Sequence, residues 1–209
     1  MFIPEKPLSP TNIYAGCIAE YESVWDIEKS NEYMSNIESA IEDRDSGIIL
    51  NRATTFSNGD KSTTAVRDGR TNYSVSLTES AHKNENFRVI HNDFYLKSLA
   101  ALEDYSARFD IKESIYFTEG INLLRYQFGQ KYDAHYDGGS ATKRAVSPIL
   151  YINDNYEGGE IEFVNFELKI KPKAGSLYLF PATYAYRHIA HPVTSGTKYA
   201  IVTWLHDQV

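Results

Sequence analysis

A single cysteine, Cys17, is the whole thiol content of this 209-residue sequence, so no internal disulfide can staple the fold. Basic residues are outnumbered by acidic ones, 21 against 28, and no run of like charge forms a basic or acidic arm. That balance, a net charge of −7, makes the chain a poor candidate for general nucleic-acid binding. No apolar stretch approaches the length of a membrane span, and the amino terminus, MFIPEKPLSPTN, has neither a charged n-region nor an apolar h-region. These absences point to a cytoplasmic protein in a reducing compartment, without a membrane partner. Cys17 reads as a small apolar core residue, because nothing beside it would stabilise a thiolate.

What is present is an ordinary globular composition, 42% hydrophobic and 23% charged, with sixteen tyrosines and ten phenylalanines tilting it toward strands. One domain over residues 1–209 is expected, with 1–115 as a supporting segment of helices and strands and 116–209 as the core. In the support, residues 13–21 read as a strand. Residues 27–41 read as an amphipathic helix capped by Asp26, with Ile27, Met34, Ile37 and Ile41 as its apolar face. Ile48, Ile49 and Leu50 suggest a short buried strand, and the polar stretch 54–71 a loop. A second helix is expected over 92–108, burying Phe94, Leu96, Leu99, Leu102 and Tyr105, with His91 just before it as a turn residue. From Tyr116 onward short aromatic and β-branched runs alternate with Gly, Asn, Asp and Pro. They predict strands at 121–128, 146–152, 159–164, 175–180, 185–189 and 198–205. Many short strands around a buried site describe a mainly β fold with flanking helices, a cupin-like jelly roll.

The chemistry concentrates in YQFGQKYDAHYD, residues 126–137. His135 and Asp137 alternate across Tyr136, so on a strand both side chains leave one face and can share a metal ion. A third ligand must come from elsewhere, and His188, just before a strand-like run, is the best-placed candidate. Two imidazoles and a carboxylate on one face of a metal form the facial triad of non-haem Fe(II) oxygenases. Lys198 opens the apolar run Tyr199–Leu205, a poor place for an unpaired ammonium, and a carboxylate partner would resolve the conflict. The pair Gly158-Gly159 reads as a hairpin turn rather than a phosphate loop.

From about Leu123 to His206 the motifs YxxGxxYxxHxD, YINDxxEGGE, GSLYLFP, HxxxPVTSGxKY and WLH follow one another in the order found in prolyl 4-hydroxylases. The sequence therefore resembles that group of the 2-oxoglutarate- and Fe(II)-dependent dioxygenases. The resemblance implies a double-stranded β-helix with Fe(II), 2-oxoglutarate and O2 as cofactor and cosubstrates, and ascorbate as a further candidate cofactor. It implies His135, Asp137 and His188 as metal ligands and catalytic centre, His188 rather than His191 being selected by its distance from Pro192. It also implies Lys198 as the partner of the remote carboxylate of 2-oxoglutarate, with Tyr126 and Tyr151 lining that pocket and Arg144 and His206 contacting substrate. The expected activity is hydroxylation of a peptide or protein side chain, prolyl 4-hydroxylation foremost, with decarboxylation of 2-oxoglutarate to succinate. Asp137 stands where related halogenases lack the carboxylate, which favours hydroxylation. Nucleic-acid demethylation by the same iron chemistry ranks low beside it. A hydroxylase of free amino acids or other small molecules, and a non-catalytic cupin-like binding module, are the alternatives.

Overall fold

The computed structural model describes residues 8–57, 60–112, 114–117, 119–139 and 142–207, together with their side chains except those of 56–57, 60–65 and 117. Most of the amino-terminal stretch read for targeting signals, residues 1–7, lies outside them. The chain begins with β1 (Asn12–Tyr14) and β2 (Ile18–Tyr21), an antiparallel pair where one strand was expected. The break is a turn in which Ala15 and Gly16 both take positive φ, 39° and 78°. Helix α1 (Ile27–Glu42) starts where predicted, with the Asp26 carboxylate accepting from the Lys29 amide at 2.8 Å. Its buried residues are Ser30, Tyr33, Ile37 and Ala40; of the expected apolar face Ile37 is buried, Met34 and Ile41 pack at its margin, and Ile27 is 59% exposed. Tyr33 sets this rotation. Its ring packs edge-on against Trp25 at 4.8 Å, and its hydroxyl donates to Asp93 at 2.9 Å.

No strand forms at Ile48–Leu50, where Ile49 points outward; β3 (Asn51–Arg52) follows instead. The expected loop over 54–71 contains a paired ribbon, β4 (Thr55–Ser57) and β5 (Asp60–Ala65). Polar composition hid it, although Asn58-Gly59 between the two runs is a hairpin signal in sequence. β6 (Tyr73–Ser76) leads into the short α2 (Leu77–Ser80), then into α3 (Glu85–Arg108). The latter starts seven residues before the predicted boundary of 92, because Asn84 caps it through the Phe87 amide, and His91 is therefore inside it. Its buried face runs through Phe87, Ile90, Phe94, Ala101, Leu102 and Tyr105, whereas Leu96 and Leu99 face outward.

The second half supplies β7 (Ile115–Phe117), β8 (Asn122–Tyr126), β9 (Tyr132–His135), β10 (Arg144–Tyr151), β11 (Glu157–Gly158) and β12 (Ile161–Phe163). It continues with β13 (Leu168–Ile170), β14 (Ser176–Pro181), β15 (His188–Ala190), β16 (Val193–Ser195), β17 (Lys198–Val202) and β18 (Leu205–Asp207). The major sheet runs β1-β2-β14-β10-β17-β8-β6-β3, with β18 and β7 completing its ten strands beside β10. The minor sheet runs β13-β12-β15-β9. Four strands of the major sheet, β1, β2, β3 and β6, thus come from the segment read as support. All of these pairings are antiparallel, and the two sheets face each other as a double-stranded β-helix.

Period-two alternation divides the major sheet into two faces. Leu123, Leu150, Leu177, Leu179 and Ile201 point outward into one cluster with Tyr33, Ile37, Phe87, Ile90, Phe94 and Tyr105 of α1 and α3. Leu124, Tyr126, Tyr151, Tyr178, Ala200 and Val202 point inward, toward the minor sheet. Pro148 sits in β10 where its partner changes from β17 to β18, a position that tolerates a missing amide donor. Gly158 and Gly159 do not make the expected hairpin. At φ of 68° and 65° they carry the chain from the β11–β16 ribbon across to β12 of the minor sheet.

Candidate metal and cosubstrate site

β9 and β15 pair antiparallel with His135 directly opposite His188, which brings residues 53 positions apart in the chain to a ring-centroid separation of 4.3 Å. The strand ends at His135, and Asp137 follows in the turn beyond. The His135 Nδ1 lies 2.8 Å from the Asp133 carbonyl and the His188 Nδ1 3.0 Å from the Tyr186 carbonyl. A carbonyl only accepts, so both Nδ1 atoms carry the proton and both Nε2 lone pairs are left for a ligand. Those Nε2 atoms stand 3.7 and 3.9 Å from the two oxygens of Asp137, and the three donor groups lie within 4.8 Å of one another.

Burial and the adjacent His188 push His135 down to about 3. Burial works to raise Asp137, but His188, His135 and the Ser147 hydroxyl outweigh it and hold the carboxyl below its usual range. Ser147 donates to Asp137 Oδ2 at 2.7 Å. The donor set of two imidazole Nε2 atoms and one carboxylate, gathered at one end of a cavity, fits a divalent transition metal such as Fe(II). His191 is outside the cluster, with its Nε2 2.6 Å from Glu162.

The cavity extends from these residues between the sheets to Lys198. Lys198 is 2% exposed and donates to the Gly159 carbonyl at 2.6 Å. Its Nζ stands 4.8 Å from the Tyr151 ring, 5.2 Å from Tyr126 and 5.9 Å from Tyr156. Among the described residues no carboxylate forms an ion pair with it. Burial, assisted by Lys171, pushes Lys198 down to about 7. Among the described residues the carboxylate partner that the sequence called for is thus not found, and the cavity between Lys198 and the histidines is lined by apolar side chains together with tyrosines and Arg70. Both Tyr126 and Tyr151 line it and are buried, which raises each phenol.

Arg144 and His206 are brought together at the mouth by the β10–β18 pairing, where they face each other in register. Both engage Glu119: the guanidinium donates at 2.6 and 2.5 Å, and His206 Nε2 lies 2.7 Å away. Arg144 also donates to the Asp137 carbonyl at 3.1 Å and covers the Trp204 ring at 3.7 Å. Burial would raise Glu119, yet Arg144 and His206 hold it below the usual carboxylate range.

Three further residues of the site went unassigned in the sequence. Tyr132 stacks on His135 at 3.5 Å and belongs to the quoted YxxGxxYxxHxD motif, so its position was visible. Arg70 lies over the Tyr132 ring at 4.6 Å and lines the cavity from a stretch read as loop. Glu119 had no local signal, because its partners come from β10 and β18.

Residues 121–206 match the family model of the 2OG-Fe(II) oxygenase superfamily. The chain is 30% identical over 179 residues to prolyl 4-hydroxylase 13 of Arabidopsis thaliana, covering 70% of this chain and 62% of that protein. It is 34% identical over 119 residues to probable prolyl 4-hydroxylase 9 of the same organism, covering 43% and 41%. The chain thus spans between 41% and 62% of the length of these relatives. Among solved structures, a prolyl hydroxylase from Trichoplax adhaerens, in complex with a hypoxia inducible factor peptide fragment, superposes with a TM-score of 0.72 at 17% identity. That match covers 92% of this chain and 84% of that one. A Pseudomonas putida prolyl-4-hydroxylase gives 0.63 at 16% identity, over 92% and 94%.

A double-stranded β-helix with a His-Asp-His cluster at one end of its cavity defines the class, and residues 121–206 carry the match to the 2OG-Fe(II) oxygenase superfamily. Within that superfamily its sequence is similar to prolyl 4-hydroxylases. The match implies Fe(II), 2-oxoglutarate and O2, and the residues described above fit the metal and the dicarboxylate.

Proposed function

We propose that this chain is a 2-oxoglutarate- and Fe(II)-dependent dioxygenase that hydroxylates a peptide or protein side chain, with proline as the first candidate. The observation that carries the reading is the single cavity holding the His135, Asp137 and His188 donors at one end and the uncompensated ammonium of Lys198 at the other. Bound at the three donors, Fe(II) supplies the oxidative chemistry: 2-oxoglutarate and O2 give succinate and carbon dioxide while a substrate C–H becomes C–OH.

The chain's own part is binding and orientation. His135 and His188 present fixed Nε2 atoms, and Asp137 adds a negative charge. Lys198 neutralises the far carboxylate of 2-oxoglutarate, and Tyr126 and Tyr151 supply the hydroxyls and walls that align it. The apolar side chains Leu124, Ile149 and Val202 exclude water from the cavity. Arg144, His206 and Trp204 form the side of the mouth where a substrate would lie, with Glu119 fixing the first two.

Peptide substrates are supported by the relatives, which are named prolyl 4-hydroxylases. The reading includes one domain over 1–209, with support in 1–115 and core in 116–209, and a cytoplasmic setting suggested by the single cysteine. No helix among the described residues is long and apolar enough to cross a membrane. The test is mass spectrometry of proline-containing peptides incubated with the iron-loaded protein, 2-oxoglutarate and ascorbate. A gain of one oxygen on proline, with peptide-stimulated succinate formation, is expected. Stimulation by a free amino acid and by no peptide would move the assignment to a small-molecule hydroxylase.

A further inference from the structure

Asp137 lies outside the strand that carries His135, so the ladder that fixes the histidines does not fix it. Its backbone is held all the same. The Arg144 guanidinium donates to its carbonyl at 3.1 Å, and the next amide, of Gly138, donates to the Ala182 carbonyl at 2.6 Å. A Cβ at Gly138 would stand 2.8 Å from the Arg144 carbonyl and 2.9 Å from that of Ala182, so two neighbouring strands clamp the chain here from both sides. What remains free is the rotation of the Asp137 carboxylate about its own side-chain bonds.

Ser147 is placed to remove that freedom. It is fully buried on the inward face of β10, opposite Phe180 of β14, with its hydroxyl 2.7 Å from Asp137 Oδ2. An ionised carboxylate only accepts, so the direction of this bond is fixed: serine donates. A buried hydroxyl also needs a partner, and Asp137 is the one it has. Oδ2 also lies 3.9 Å from His188 Nε2, but it is the oxygen the serine engages, so Oδ1, 3.7 Å from His135 Nε2, is the less encumbered one to face a cation.

Building on the proposed metal site, we infer that Ser147 is a positioning residue, acting through Asp137 to present that carboxylate as a one-point ligand through Oδ1. A carboxylate turned to offer both oxygens would take an additional metal position, one that 2-oxoglutarate or O2 needs. Outer hydrogen bonds of this kind typically contribute about 10–100-fold in metal affinity.

The experiment is anaerobic titration of Fe(II) into unmodified protein, Ser147→Ala, Ser147→Thr, Asp137→Ala and the Ser147→Ala/Asp137→Ala double variant, with circular dichroism to establish folding. Ser147→Ala should fold and bind Fe(II) about 10–100-fold more weakly. Threonine should restore most of the loss by returning the hydroxyl, and the alanine change should add nothing once Asp137 is gone. Unchanged or tighter binding in Ser147→Ala overturns the inference, as does an equal loss in the presence and absence of the Asp137 carboxylate. Should threonine not be accommodated beside Phe180, the double-variant comparison decides alone. Failure of the underlying site looks different: Asp137→Ala and His188→Ala would then bind Fe(II) as the unmodified protein does.

Discussion

Lys198 on β17 stands directly opposite Tyr126 on β8, and its buried ammonium has the Gly159 carbonyl for a hydrogen-bond partner and, among the described residues, no carboxylate in ion-pair contact. Burial first, and Lys171 second, bring its pKa to about 7, against about 10.4 for an unfolded lysine. In that window the unfolded chain holds a proton that the folded chain has lost. Stability without cosubstrate therefore rises with pH from about 7 to about 10.4, the penalty being complete below about 7. A dicarboxylate reverses the preference by favouring the ammonium. Binding of 2-oxoglutarate should take up a proton at pH 8 and weaken toward tenfold per pH unit above that. Calorimetry in two buffers of different ionisation enthalpy reads the uptake; identical heats in both would remove Lys198 from the carboxylate site.

Gly159 provides a second route to the same end of the cavity. It has φ of 65°, and a Cβ there would lie 2.9 Å from Tyr156 Cε2 and 3.2 Å from Lys198 Cδ. Gly159→Ala should cost about 1–2 kcal/mol from the left-handed backbone alone, more with the crowding, and should weaken 2-oxoglutarate while sparing Fe(II). Denaturant unfolding and separate titrations of the two would show it. Equal weakening of both would mean a general collapse of the cavity.

Glu119 joins Arg144 and His206, and the Arg144 side chain is only 9% exposed. Replacing that carboxylate takes a charged partner from a largely desolvated guanidinium, a loss below the roughly 3–5 kcal/mol of a fully buried pair. Glu119→Gln should raise the KM for a peptide substrate and leave that for 2-oxoglutarate little changed. An effect confined to 2-oxoglutarate would place the cluster in the wrong half of the site.

The triad was legible because its signals are short-range: His135 and Asp137 two residues apart, and His188 at a strand start. Their meeting was not, since the β9–β15 register that opposes the two histidines depends on pairing across 53 positions. Glu119 and Arg70 were invisible for the same reason. The strands β8, β10, β12, β14, β15 and β17 were found with shifted ends because aromatic and β-branched runs announce them, whereas β7, β9, β11, β13 and β16, none longer than four residues, were missed and the run 198–205 breaks into β17 and β18. Thr54–Thr71 was misread because the two-stranded β4–β5 ribbon is built largely from polar residues without apolar alternation. Both helices exist near where expected, but in α1 the docking of Tyr33 turns Ile27 to solvent, while in α3 the apolar Leu96 and Leu99 face outward and the Asn84 cap starts the helix early.

Helix α3 tests that last point. Phe94 is fully buried, whereas Leu96 is 44% exposed. Phe94→Ala should cost about 3–5 kcal/mol, and Leu96→Ala roughly 0.5 kcal/mol or less. Similar losses in both, measured by urea unfolding, would contradict the observed rotation of the helix.

The account turns on one cavity binding both a metal and a dicarboxylate, and the most direct measurement is anaerobic addition of 2-oxoglutarate to Fe(II)-loaded protein, followed by visible absorption. A metal-to-ligand charge-transfer band should appear and saturate at one equivalent. It should be lost in His188→Ala, and in Lys198→Ala it should require about two to three orders of magnitude more 2-oxoglutarate, the equivalent of roughly 3–5 kcal/mol. Absence of the band in the unmodified protein, or an unchanged titration in Lys198→Ala, would contradict the account.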